Sequence, residues 1–139
     1  MKIRSFLGLA VLAIALNTAN AQSPLKAGIW RGVTKTASGA EIPFNFEVTN
    51  TGAQTQWAII NGSERFKVTD VKYKGDSVFV HMPLFDSEFR VKRSGENLTG
   101  RWIKNLGTNL AIMAFNATPN TAWRFKTPQK PAANITGRW

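Results

Sequence analysis

Between Ile42 and Val48 the chain alternates without a break: Ile42, Phe44, Phe46 and Val48 fall on one side, Asn45 and Glu47 on the other. A period of two is that of a strand with one face on a core. The period recurs in Phe66/Val68 against Arg65/Lys67, Val71/Tyr73 against Lys72/Lys74, Phe89/Val91 against Arg90/Lys92, and Trp123/Phe125 against Arg124/Lys126. Each of these segments is expected to be a strand with one apolar and one charged face. Ser77–Met82 and Leu110–Phe115 are apolar or mixed on both sides, so they are expected to be central or covered twice. Turn residues separate the segments at Ser38-Gly39, Thr51-Gly52, Asn61-Gly62, Gly75-Asp76, Ser94-Gly95 and Asn120. Asn61-Gly62 is expected to form a type I′ hairpin turn, because both residues tolerate positive φ. No segment has helical periodicity, and Pro43, Pro83, Pro119, Pro128 and Pro131 interrupt the long runs. The fold class that follows is all-β, an antiparallel meander.

An internal echo bears on how the meander closes. Asn97-Leu98-Thr99-Gly100-Arg101-Trp102 recurs as Asn134-Ile135-Thr136-Gly137-Arg138-Trp139, and Gly28-Ile29-Trp30-Arg31-Gly32 is a looser copy. Each copy reads as a strand opening, with the glycine allowing a sharp coil and the tryptophan plugging one end of a barrel. The meander is therefore expected to form a partial or small barrel, lipocalin-like or calycin-like, with Trp30, Phe44, Phe46, Phe66, Phe89 and Trp102 facing one interior. The β domain is placed at 22–126, a Pro-rich linker or crossover at 127–133, and the start of a further strand at 134–139. Ending on Trp139 suggests a strand cut short, which would leave an unpaired edge and a tendency to self-associate. A naturally short closing strand is the alternative.

Composition narrows the chemistry. The chain carries 18 Lys+Arg against 8 Asp+Glu, no Cys, and His81 alone. No disulfide, thiolate nucleophile or CxxC centre can form. The stretch 1–21 combines Lys2 and Arg4, an apolar run from Phe6 to Leu16, and Ala19-Asn20-Ala21 as a cleavage site, so it reads as a secretory leader. An exported protein, periplasmic or extracellular, is the expectation. Removing the leader takes away Lys2 and Arg4 and leaves 16 basic and 8 acidic residues, a net charge of +8 by difference.

No residue is assigned a catalytic, cofactor or metal role. His81 shares a strand face with Ser77 four residues away, too far for a local catalytic pair. Asp86 and Glu88 have the spacing that acid/base work or Ca²⁺ would use, yet they fall in an expected connection, Pro83–Ser87, where solvated turn charges suffice. Arg65, Lys67, Lys72, Lys74, Arg90, Lys92, Arg101, Arg124 and Lys126 occupy polar strand positions and are read as spread out, with aromatics on the opposite face. No specific nucleic-acid partner is expected from that arrangement; the cations read as a solvated face that keeps β edges from pairing with other chains, with weak attraction to an anionic membrane surface as the alternative.

Two resemblances add to this reading. Leu25–Gly32, Glu41–Phe46, Ile59–Gly62, Asp76–Val80 and Met82–Phe89 resemble the β-rich N-terminal region of exported TlpA-like thiol-disulfide oxidoreductases. The likeness spans residues 25–139. It implies a non-catalytic accessory domain whose redox chemistry, in that family, belongs to a following thioredoxin-fold domain with CxxC; such a domain, or another periplasmic protein, would be the partner. Leu98–Asn109 is similar to the first strand and loop of avidin-type biotin-binding barrels. Thr108 matches that family's hydroxyl residue, but Lys104 stands where an asparagine should be, and the likeness is read as convergence. The alternative function is a free-standing exported lipocalin-like binder of a small apolar ligand, with Trp30, Phe46 and Trp102 lining its cavity.

Overall fold

A computed structural model describes residues 23–130, 132–133 and 137. The leader, Pro131 and most of the 134–139 repeat lie outside the described residues, and so does the expected further strand. Nine antiparallel strands form one sheet: β1 (Gly28–Lys35), β2 (Glu41–Thr51), β3 (Gln54–Asn61), β4 (Glu64–Val68), β5 (Val71–Lys74), β6 (Ser77–Met82), β7 (Ser87–Ser94), β8 (Asn97–Asn105) and β9 (Leu110–Pro119). Their order across the sheet is β4-β3-β2-β1-β9-β8-β7-β6-β5. First and last strands pair, Trp30 against Pro119 and Lys35 against Ala114, so the sheet curls into a nearly closed barrel.

The opening lies between β4 and β5, and the registers explain it. Trp57 faces Val68 across β3/β4, and Lys74 faces Ser77 across β5/β6, so β4 and β5 run toward the same end of the barrel. Only Thr69 and Asp70 separate them. The Val71 amide donates back to the Thr69 carbonyl at 3.0 Å, an inverse-turn kink about Asp70, and the His81 amide donates to the Asp70 carbonyl. The two strands are thus halves of one bent strand, the first half bonded to β3 and the second to β6. Counted this way the barrel has eight staves, with its open seam at the bend.

Four hairpins share one device. β2/β3, β3/β4, β5/β6 and β7/β8 are joined by two residues, and the first is always glycine: Gly52, Gly62, Gly75 and Gly95, with φ between 58° and 61°. The second residue does not have positive φ. Type I′ needs positive φ at both positions, so the turn at Gly62-Ser63 is not the expected type I′; glycine first is the signature of type II′.

The interior holds the residues expected there. Trp30, Phe46 and Phe89 are buried, and Phe44, Phe66 and Trp102 pack against them. Aromatic rings fill the middle: Phe46 stacks on Trp57 at 4.1 Å, Phe89 tilts against Phe115 at 4.8 Å, and Phe44 reaches Phe46, Phe89 and Phe115 at about 6 Å. Gly32 makes room for this, since a Cβ there would meet the Phe44 and Phe115 rings at 2.9 Å.

One strand expectation is corrected. Trp123–Lys126 forms no strand. Instead the chain after β9 runs over the outside of β1 and β2, where Asn45 Nδ2 donates to the Thr121 carbonyl at 3.0 Å and Arg124 Nε to the Pro43 carbonyl at 2.8 Å. Trp123 lies against Arg31 and Lys126, its alternation serving cation–π contacts rather than a sheet. β9 is central as expected, fifth of the nine strands in order, but it is not covered twice: Leu110 and Ile112 stand on its outer side, exposed.

Candidate functional site

The two ends of the barrel differ. At the end where β1 begins, Ser23–Ala27 folds across the opening and Leu25 seats in it, 4% exposed. Polar side chains from several strands hold this plug by its backbone. Tyr73 Oη accepts from the Leu25 amide at 3.2 Å, Asn50 Nδ2 donates to the Leu25 carbonyl at 2.8 Å, and Arg93 donates to the Ser23 carbonyl. Thr55 ties Asn50 to Tyr73 at 2.8 and 2.7 Å, and Trp30 Nε1 donates to the Lys26 carbonyl at 2.8 Å. A buried backbone group left unpartnered would cost about 1–3 kcal/mol, so this ring of donors and acceptors is what lets an irregular segment lie across a core.

At the other end the connections leave large apolar side chains in solvent. The β6–β7 connection presents Leu84 and Phe85, the β8–β9 connection Leu106, and β2 begins with Ile42, all exposed. Phe85 tilts over Phe66 with ring centroids 5.8 Å apart.

Trp30, Phe46 and Trp102 do not line a chamber. Trp30 stacks on Phe46 at 6.0 Å, Phe46 on Trp57, and Trp102 packs half-buried against the same cluster. Lys104 points inward opposite Ser87 and Ala111, while Thr108 lies in the exposed β8–β9 connection. His81 and Ser77 share the outer face of β6. Glu88 is bonded by Arg90, whose Nε donates to it at 2.7 Å, and Asp86 occupies the β6–β7 connection with φ of 42°. Among the described residues no three His, Cys, Asp or Glu gather as a metal ion would require.

The basic residues are where the sequence expectation fails. Five of the nine named above meet on the outer face of β5–β8. Lys72, Phe79, Arg90 and Arg101 are successive partners in one row across the strands, and Lys74, Ser77, Lys92 and Thr99 in the next. The cations are therefore clustered, and Phe79 stands on their face rather than opposite it. Like charges directly opposite each other repel; Arg90 against Arg101 is such a pair. Glu88 relieves Arg90 and Asp70 holds Lys72 at 3.0 Å, but Lys74, Lys92 and Arg101 have no ion pair among the described residues. A shallow groove of about 440 Å³ runs through the rows, lined by Ser77, Phe79, Lys92, Thr99 and Arg101. A smaller one, about 320 Å³, lies nearer the open end between His81, Glu88, Ile103 and Leu110. Arg65 and Lys67 sit apart on β4, and Arg124 and Lys126 in the segment over β1 and β2.

A signal for this clustering is present in the sequence. A two-residue hairpin fixes register, because paired residues keep a constant sum. Ser94 against Asn97 sets Arg90 against Arg101, and Lys74 against Ser77 sets Lys72 against Phe79.

What this geometry defines is a small β-barrel with a filled interior, one plugged end, one apolar end and a basic outer face. No family model, no curated protein and no solved structure matches the chain.

Proposed function

We propose that this chain is a non-catalytic β-barrel module that works through its outer surface, and that it serves as the accessory domain of an exported thiol-disulfide oxidoreductase of the TlpA-like kind. The observation that carries the first half is the ring-filled interior. Six aromatic side chains at centroid separations of 4.1–6.0 Å occupy the space that a lipocalin-like binder would keep for its ligand. Recognition is left to the outside, where charge and apolar surface are concentrated. The second half rests on the resemblance of residues 25–139 to that family's β-rich region, and on the absence of cysteine, which leaves any thiol chemistry to another domain.

Reading the natural coding sequence around this chain tests the accessory role. A thioredoxin-fold segment with CxxC in the same frame is expected; a coding sequence without one returns the barrel to a free-standing module. The purified chain is expected to leave insulin disulfides unreduced, and turnover that survives purification would overturn the non-catalytic assignment.

A further inference from the structure

We propose that the open end of the barrel and the cation rows beside it form one face that docks on an anionic lipid bilayer. The inference stands whether or not a redox domain accompanies the barrel. Two features of different origin meet on this face. Leu84, Phe85 and Leu106 project from the β6–β7 and β8–β9 connections at 70%, 52% and 57% exposure, and Leu110 and Ile112 follow on the outer side of β9. Single exposed apolar residues are ordinary, but five gathered at one end of one sheet make a patch, and such patches mark interaction surfaces.

The chemistry beside the patch selects the partner. Ile112 pairs with Ile103, Ala114 with Arg101, and Leu110 lies at the rim. Arg101 and its neighbours are therefore two to four residues from the apolar end, about 7–13 Å along the strands. With the tilt of about 40° usual in barrels, that is a height of about 5–10 Å. Interfacial elements sink their apolar side about 5–10 Å into the headgroup and acyl boundary. With the connections at that depth, Arg90 and Arg101 come level with lipid phosphates, and Lys92, one row further from the rim, reaches toward them with its long side chain.

The charge balance on this side favours an anionic surface. Lys92 and Arg101 have no ion pair among the described residues, and the groove between them offers Ser77 and Thr99 hydroxyls as further partners for phosphate oxygens. The facing carboxylates are Asp70 and Glu88, already bonded to Lys72 and Arg90, Asp76, which accepts from Ser77, and Asp86 in the β6–β7 connection. At the rim Asp86, Glu41 at the start of β2 and Glu64 at the start of β4 oppose docking, against the cation rows beside it. The chain as a whole carries +10, so long-range attraction acts in the same sense.

Vesicle co-sedimentation tests the proposal, with phosphatidylcholine vesicles containing phosphatidylglycerol set against phosphatidylcholine alone. Residues 1–22 are common to every variant, so differences between variants report on this face. Leu84→Ser/Phe85→Ser is expected to lower partitioning onto the anionic vesicles by about tenfold or more, since each side chain removed is worth about 1.5 kcal/mol or more of apolar burial. Lys92→Gln/Arg101→Gln is expected to lower it about fivefold per cation, on anionic vesicles only, with the difference vanishing in molar salt. Circular dichroism melts are expected to match wild type, because all four side chains are on the surface. Equal binding to both vesicle types, or variants that bind like wild type, would overturn the proposal. So would binding of a soluble polyanion such as heparin through Lys92 and Arg101 with no uptake by vesicles, or concentration-dependent self-association that Phe85→Ser abolishes.

Discussion

The plugged and open ends of the barrel are built from the same strands, yet they solve the problem of a barrel mouth in opposite ways. At the plugged end the inward positions nearest the rim are Asn50, Thr55, Tyr73 and Arg93, all able to hydrogen-bond, and the chain itself supplies the backbone of Ser23–Ala27 for them to hold. At the open end Ile42, Phe66 and Phe85 offer only apolar contact, and the polar inward side chains there, Thr34, Ser87 and Lys104, hold no plug segment among the described residues. Polar rims capture an irregular segment because each backbone group can be matched; apolar rims ask only for contact. The plug's backbone is matched within the molecule at the first end, and the second end leaves apolar side chains exposed.

Breaking the core that both ends share is expected to have the largest effect. Trp57→Ala removes the ring stacked at 4.1 Å on Phe46 and tilted against Phe89, and a loss of about 3–5 kcal/mol in urea unfolding is expected. A loss below about 1 kcal/mol would mean that the rings are loosely packed and the interior adaptable. Gly100→Ala comes next. A Cβ there would overlap the Arg90 carbonyl oxygen and lie 2.7 Å from the Val91 Cα, so β7 and β8 would have to part. A destabilisation of about 1–3 kcal/mol is expected, together with faster amide exchange along β7 and β8.

At the plugged end, Tyr73→Phe deletes the oxygen that joins Leu25 to Thr55 and is expected to cost about 1–2 kcal/mol by thermal melting, the worth of two partly buried hydrogen bonds. At the open end Phe85→Ser is expected to change stability by less than about 0.5 kcal/mol in the same melt. If Phe85→Ser proves the costlier of the two, the contrast between a satisfied and an unsatisfied end is wrong.

Much of this fold was legible in the sequence because alternation is local. The strand at Ile42–Val48, the interior assignments of Trp30 and Phe89, and the turn positions all follow from neighbours within a few residues. What escaped depends on distance or on a second preference. The alternation at Trp123–Lys126 is that of a strand, but stacking against Arg31 and Lys126 uses the same spacing. The bend at Thr69-Asp70 joins two segments that read as separate strands, and only their registers show one bent stave. The basic cluster arises because β5, β6, β7 and β8 bring residues up to 29 positions apart, Lys72 to Arg101, into one row. Charges counted along the chain look scattered; counted across the sheet they converge.

The central claim is that the interior is filled and recognition is external. Titrating the protein with an uncharged apolar fluorescent probe below its aggregation threshold, while following the emission of its five tryptophans, addresses it most directly. The expected result is no saturable one-to-one binding and no change in tryptophan emission. Saturable binding that quenches the buried tryptophans, and that Phe46→Ala alters, would place a ligand inside the barrel and contradict the account.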